Sequence, residues 1–144
     1  MPQISRKPIS KDIENKIYES FYRAIGLLKE AEARLFIDDL LTKTERVMLP
    51  KRLAIAILLL KGWNYESIKE VLCVTQTTIA SVSRTLEFST GLRKAIENLN
   101  ESEAWRGWWE EVEGLLYRLS SPGKVFLDEE IIKRKQAQRT KTLV

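Results

Sequence analysis

The sequence predicts an all-helical protein, and three observations carry that expectation. Helix-favouring Leu, Ile, Ala, Glu, Lys and Arg dominate, while the 144 residues include only six glycines and four prolines. Apolar residues recur at spacings of three and four, which gathers them on one face of a helix. No stretch sustains the period-two alternation of a half-buried strand.

Taken in order, residues 1–10 hold two prolines and read as a flexible arm. Ser10 is a suitable N-cap, with Asp12 and Glu14 in the first turn, where the positive end of the helix dipole favours acids. Ile13, Ile17, Phe21, Ala24, Ile25 and Leu28 then form one stripe, which carries this helix to about Lys29. A shorter helix is expected over residues 33–41, with Leu35, Phe36, Leu40 and Leu41 facing inward. Thr42-x-x-Glu45 matches a capping box and opens a helix running to about Lys61. Residues 53–60 are apolar on nearly every side, the mark of a helix buried all round. Lys61 and Gly62 supply the stop. Pro50, inside that span, predicts a kink or a break near Met48 and Leu49.

Asn64 then caps a short helix over residues 65–72, residues 73–75 turn, and Thr75 caps a helix from Gln76 to about Phe88. Ser89, Thr90 and Gly91 interrupt the pattern before a helix over about 92–99. A last amphipathic helix spans about 102–119 and ends at Ser120-Ser121-Pro122-Gly123. Beyond it, residues 128–138 suit a charged helix and 139–144 a disordered end. The expected organisation is an arm (1–10), a helical domain (11–99), an amphipathic helix (100–121) and a basic tail (122–144).

Charge is unevenly placed along the chain. The net charge is +4, yet residues 42–94 hold nine basic against four acidic residues, and residues 95–123 hold two against six. The middle block therefore suits a polyanion and the block after it does not. Histidine is absent, which removes Ser-His-Asp and Cys-His nucleophile systems and His-ligated zinc. The single cysteine, Cys73, excludes an intramolecular disulfide and any cysteine-pair metal site. No constellation of acid, base and nucleophile is visible, so the chain is not expected to be an enzyme. The opening residues lack the apolar core of a signal peptide, and the longest apolar run, 53–60, is too short for a membrane span. A cytoplasmic protein is the expectation.

Residues 64–86 fit the plan of a helix-turn-helix. Ile68, Val71 and Leu72 hold down the first helix, Val74 fills the corner, and Ile79, Val82 and Leu86 anchor the second. Gln76, Thr77, Thr78, Ala80 and Ser81 stay outward at its start: small or hydrogen-bonding, and uncharged. Such residues approach base edges closely, Gln suiting adenine and a Thr methyl suiting thymine. Gln76, Thr77 and Ala80 are the expected base readers, while Lys69, Thr75 and Arg84 are placed for phosphates. An ordinary helical hairpin whose polar face meets water is the competing reading. Cys73 also occupies a position where glycine usually makes the bend.

Leu40-Leu41-Thr42-x-x-Glu45-Arg46, Lys51-Arg52-Leu53, Leu59-Leu60-Lys61-Gly62 and the helix-turn-helix together resemble the Trp repressor family, most closely a Trp repressor-like bacterial branch. The resemblance covers about residues 38–99. It implies a Trp repressor-like all-helical fold, an intertwined homodimer, and operator binding on double-stranded DNA by the second helix of the motif. A transcriptional regulator, and a repressor before an activator, is what it points to.

The resemblance also implies an effector pocket, and there the sequence departs from the pattern. In tryptophan-responsive members two arginines sandwich the indole ring and a threonine offers its carbonyl. Arg52 aligns with the first arginine and Thr42 with the threonine. Ser81 stands where the second arginine is expected, and Val82 replaces the glycine after it. Serine cannot stack on indole or pair with a carboxylate, and valine fills the space of the ring. L-Tryptophan is therefore not expected as corepressor, no cofactor is expected, and the effector is left open. Arg52 is better read as a phosphate contact or a surface ion-pair partner.

Trp105, Trp108 and Trp109, with Val112, Leu115, Leu116 and Leu119, make a wide apolar face suited to the core or a dimer contact, or else to docking a protein. The acids of that helix, Glu103, Glu110, Glu111 and Glu113, argue that it turns away from DNA. Lys133-Arg134-Lys135, Arg139 and Lys141, like Arg6-Lys7, suit either phosphates or water. Asp38-Asp39 lacks a third ligand, and Cys73 is expected to be a small buried residue, with a redox switch as the minor reading. Two rival functions stand beside the regulator: a nonspecific nucleoid or transposase-type DNA module, and a protein-interaction domain built on the tryptophan helix.

Overall fold

A computed structural model describes residues 8–120. The arm's residues 1–7, the basic tail and the charged helix expected at 128–138 lie outside the described residues. Those described form seven helices and no strand: α1 Lys11–Leu27, α2 Glu30–Leu40, α3 Lys43–Leu60, α4 Tyr65–Leu72, α5 Gln76–Phe88, α6 Gly91–Asn100 and α7 Glu103–Leu119. The fold is all-α, as the helical periodicity predicts.

Compactness divides the chain between Arg46 and Val47, within α3. In the first unit, neither α1 nor α2 buries a single residue. The stripe of α1 forms as expected, yet Ile13, Ile17 and Ile25 are each about half exposed. Ser10 occupies the N-cap position of α1 without a side-chain cap bond. The next helix starts earlier than expected, at Glu30, because the Glu32 carboxylate accepts the Lys29 N–H at 3.0 Å and secures that end. Leu35 and Leu40 are exposed rather than inward, while Phe36 and Ile37 are half-buried. The capping box is present: Thr42 N–H donates to Glu45 Oε2 at 2.8 Å, and Glu45 N–H donates to Thr42 Oγ1 at 3.3 Å.

Pro50 does not break α3. The helix is continuous from Lys43 to Leu60, so of the kink or break expected near Met48 and Leu49 the break does not occur. Proline lacks an N–H, so the Arg46 carbonyl four residues earlier loses its helical donor. Pro50 is exposed, which leaves that carbonyl accessible to water at little cost.

The second unit has a core. Ile55, Ala56, Ile57 and Leu58 of α3 are at most 1% exposed, as the all-round apolar run predicts. Ile68 and Val71 of α4, Ile79, Val82 and Leu86 of α5, Ile96 of α6 and Trp109 of α7 complete the cluster. The α3 stop is a Schellman motif: Trp63 N–H bonds Leu58 O and Gly62 N–H bonds Leu59 O, both at 3.0 Å. Gly62 sits at φ 89°, where a Cβ would be strained, and this is why glycine is needed there.

Candidate nucleic-acid interface

The motif is assembled by local chemistry. Asn64 caps α4 by accepting the Ser67 N–H through Oδ1 at 2.8 Å. Thr75 caps α5 by accepting the Thr78 N–H through Oγ1 at 3.2 Å. Between them, Cys73 takes the left-handed conformation, φ 51° and ψ 51°, at the C-cap of α4. This is the work a glycine would do without strain. The cysteine is exposed, which corrects the expectation of a buried residue. A left-handed C-cap turns its side chain out of the corner that Val74, 8% exposed, fills instead.

On α5 one face is spent on the core and the other is left free. Ile79, Val82 and Leu86 are buried. At about 100° per residue, Gln76, Thr77, Ala80, Ser81 and Arg84 share one arc of the helix. Gln76, Thr77, Ser81 and Arg84 are exposed and Ala80 is half-buried. Thr78 falls outside that arc; its hydroxyl lies 2.9 Å from that of Thr75, so both belong to the cap. Lys69 is exposed on α4. The first turn of α5 holds no acidic residue, so nothing there competes with a phosphate for the free N–H groups.

Behind this face lies a cavity of about 240 Å³, lined by Leu49, Arg52 and Leu53 of α3, Ser81, Val82 and Thr85 of α5 and Leu92 of α6. The structure thus brings together two of the three residues that the resemblance placed in the effector pocket, Arg52 and Ser81. Thr42 is exposed and committed to its capping box. Arg52 forms no ion pair among the described residues. Its aliphatic stem and charge contribute to an otherwise mostly apolar lining.

A family model, the Trp repressor protein, matches residues 17–100. The chain belongs to the Trp repressor family. The match runs from α1 to the end of α6 and so contains the whole capped helix pair. Comparison with curated proteins and with solved structures finds no match. As a Trp repressor family member, the chain is a DNA-binding transcriptional regulator, a class that is not enzymatic. Among the described residues no helix is long and apolar enough to cross a membrane, and no cluster of acidic or cysteine side chains could hold a metal ion.

The tryptophan helix α7 divides its apolar residues. Trp105, Trp109, Val112 and Leu116 pack on the core, while Trp108, Leu115 and Leu119 are 59–65% exposed. Sequence reasoning missed Glu113. It accepts the Trp63 indole N–H at 3.0 Å and pairs with Lys61, contacts bridging about fifty positions of the chain that no local spacing could announce.

Proposed function

We propose that this protein is a dimeric repressor that reads a palindromic operator through the major groove with α5. One observation carries the reading: the Thr75-capped start of α5 leaves Gln76, Thr77 and Ser81 exposed on one arc, with Ala80 between them. Short uncharged groups at a helix N-terminus reach base edges without demanding a salt bridge. The net positive block at 42–94 supplies attraction to phosphates, with exposed Lys69 and Arg84 flanking the readers. Repression needs no further surface, because occupying an operator excludes other proteins from it.

Two copies are needed because a single α5 reads only one half-site, and half-sites in this class lie about 34–36 Å apart. The unburied faces of α1 and α2 support the same assembly. L-Tryptophan is not the corepressor, since Ser81 offers the cavity neither a stacking plane nor a charge, and Val82 is a core residue.

The test is selection of binding sites from random duplex DNA with the purified full chain. A short palindrome with half-sites one helical turn apart is the expected product. Uniform recovery of all sequences would favour the nucleoid-type rival, and recovery of none would point to the protein-interaction rival.

A further inference from the structure

The last helix of the described residues, α7, lies outside the family match, which ends at residue 100, whereas α7 begins at Glu103. It packs on α6 and also on α4, the first helix of the DNA-binding pair. Trp109, 7% exposed, shares the core with Ile68 and Val71 of α4. One helical turn further, Glu113 is two-pronged: one carboxylate oxygen pairs with Lys61 Nζ and the other accepts the Trp63 indole N–H at 3.0 Å. The Trp63 ring is 3% exposed and meets Tyr117 of the same helix edge-on, with centroids 6.2 Å apart. Lys61 and Trp63 flank Gly62, and the next residue is Asn64, the cap of α4. Through Glu113, α7 therefore holds the chain where α3 hands over to the DNA-binding pair. Both side chains are about a quarter exposed, so the pair is held more firmly than a fully exposed surface pair.

We propose that α7 is a positioning element for DNA binding, in which Glu113 sets the start of α4 through Lys61 and Trp63. The inference rests on the reading of α4 and α5 as the DNA-binding pair. It has a sign that electrostatics alone would reverse. An acidic residue acting only through charge repels a polyanion, so removing it should strengthen binding. A positioning residue weakens binding when removed, and leaves the salt dependence unchanged because it releases no counterion.

The experiment compares the full chain with its Glu113→Gln and Glu113→Ala variants. The DNA probes are a duplex selected by the wild type and a random duplex of equal length, each titrated over a salt series. Amide exchange is followed in parallel for Tyr65–Leu72 and for residues 55–58. Glu113→Ala should weaken binding to both duplexes on the order of tenfold with an unaltered salt slope. Glu113→Gln keeps an acceptor for Trp63 and should lose about threefold. Exchange in α4 should accelerate while that of residues 55–58 stays as it was. Equal or tighter binding by Glu113→Ala would overturn the proposal, as would unchanged exchange in α4 or equal acceleration in both segments. Should the wild type bind no duplex, the DNA-binding reading itself would fall and the proposal with it.

Discussion

Arg52 and Ser81 face one cavity from two different helices, α3 and α5, with Val82 beside them. An indole held there would find a cation on one side only, and a hydroxyl on the other is too short to stack. Titration calorimetry of the full chain with millimolar L-tryptophan should therefore show no binding in the low micromolar range. A low micromolar Kd would show that the cavity binds the ring by contacts other than a two-arginine sandwich.

How much of this was legible beforehand follows from how local each device is. The caps Asn64 and Thr75, the Thr42–Glu45 capping box and the Gly62 stop each depend on residues within a few positions, and all four form as the sequence suggests. Whether α3 would continue through Pro50 or break there was left open, because the effect of proline's lost hydrogen bond depends on whether the freed carbonyl can reach water. Cys73 misled because the general tendency of cysteine to be buried is overridden by the left-handed turn it must make. The tryptophan face was legible as apolar, but not its division into a packed and an exposed half. Glu113 read as one more acid on an acidic helix, since its partners Lys61 and Trp63 are brought to it only by the fold.

The turn at Cys73 supplies a stability prediction. A non-glycine residue in the left-handed region carries strain of order 1 kcal/mol, and the side-chain hydrogen bond of Cys73 is a weak one, Sγ to the Glu70 carbonyl at 3.8 Å. Cys73→Gly should be neutral to stabilising by up to about 1 kcal/mol, whereas Cys73→Val, β-branched, should destabilise by about 2 kcal/mol. Thermal unfolding at equal concentration checks both. Loss of stability in Cys73→Gly would show that the thiol contributes packing that outweighs the backbone strain.

Thr75 carries a separate load. Replacing it by alanine removes the acceptor for Thr78 N–H and the hydroxyl contact 2.9 Å from Thr78. A cap of this kind is worth about 1 kcal/mol. Thr75→Ser should retain most of that stability and Thr75→Ala should lose it, as read by denaturant midpoints. Equal midpoints for the two variants would show that the cap bond is not contributing.

The exposed stripe of α1 predicts assembly. Ile13, Ile17, Phe21 and Ile25 are 39–54% exposed in the single chain, more apolar surface than an isolated helix leaves in water without a partner. Light scattering at micromolar concentration should report twice the 16.7 kDa chain mass. Ile17→Asp and Phe21→Asp should each shift the species toward monomer. A clean monomer for the unaltered chain would remove the two-half-site reading.

The division of labour on DNA gives the most direct test of all. Gln76 and Thr77 are exposed at the start of α5, and Lys69 on α4 and Arg84 further along α5 are exposed as well. The measurement is the affinity of Gln76→Ala and Thr77→Ala for the selected operator and for random duplex, beside Lys69→Ala and Arg84→Ala over a salt series. The first pair should lose about 1–3 kcal/mol on the operator and almost nothing on random DNA. The second pair should weaken every sequence alike and shallow the salt dependence by about one counterion each. If Gln76→Ala and Thr77→Ala instead lose affinity equally for operator and random duplex, α5 does not read bases and sequence-specific regulation through this helix is contradicted.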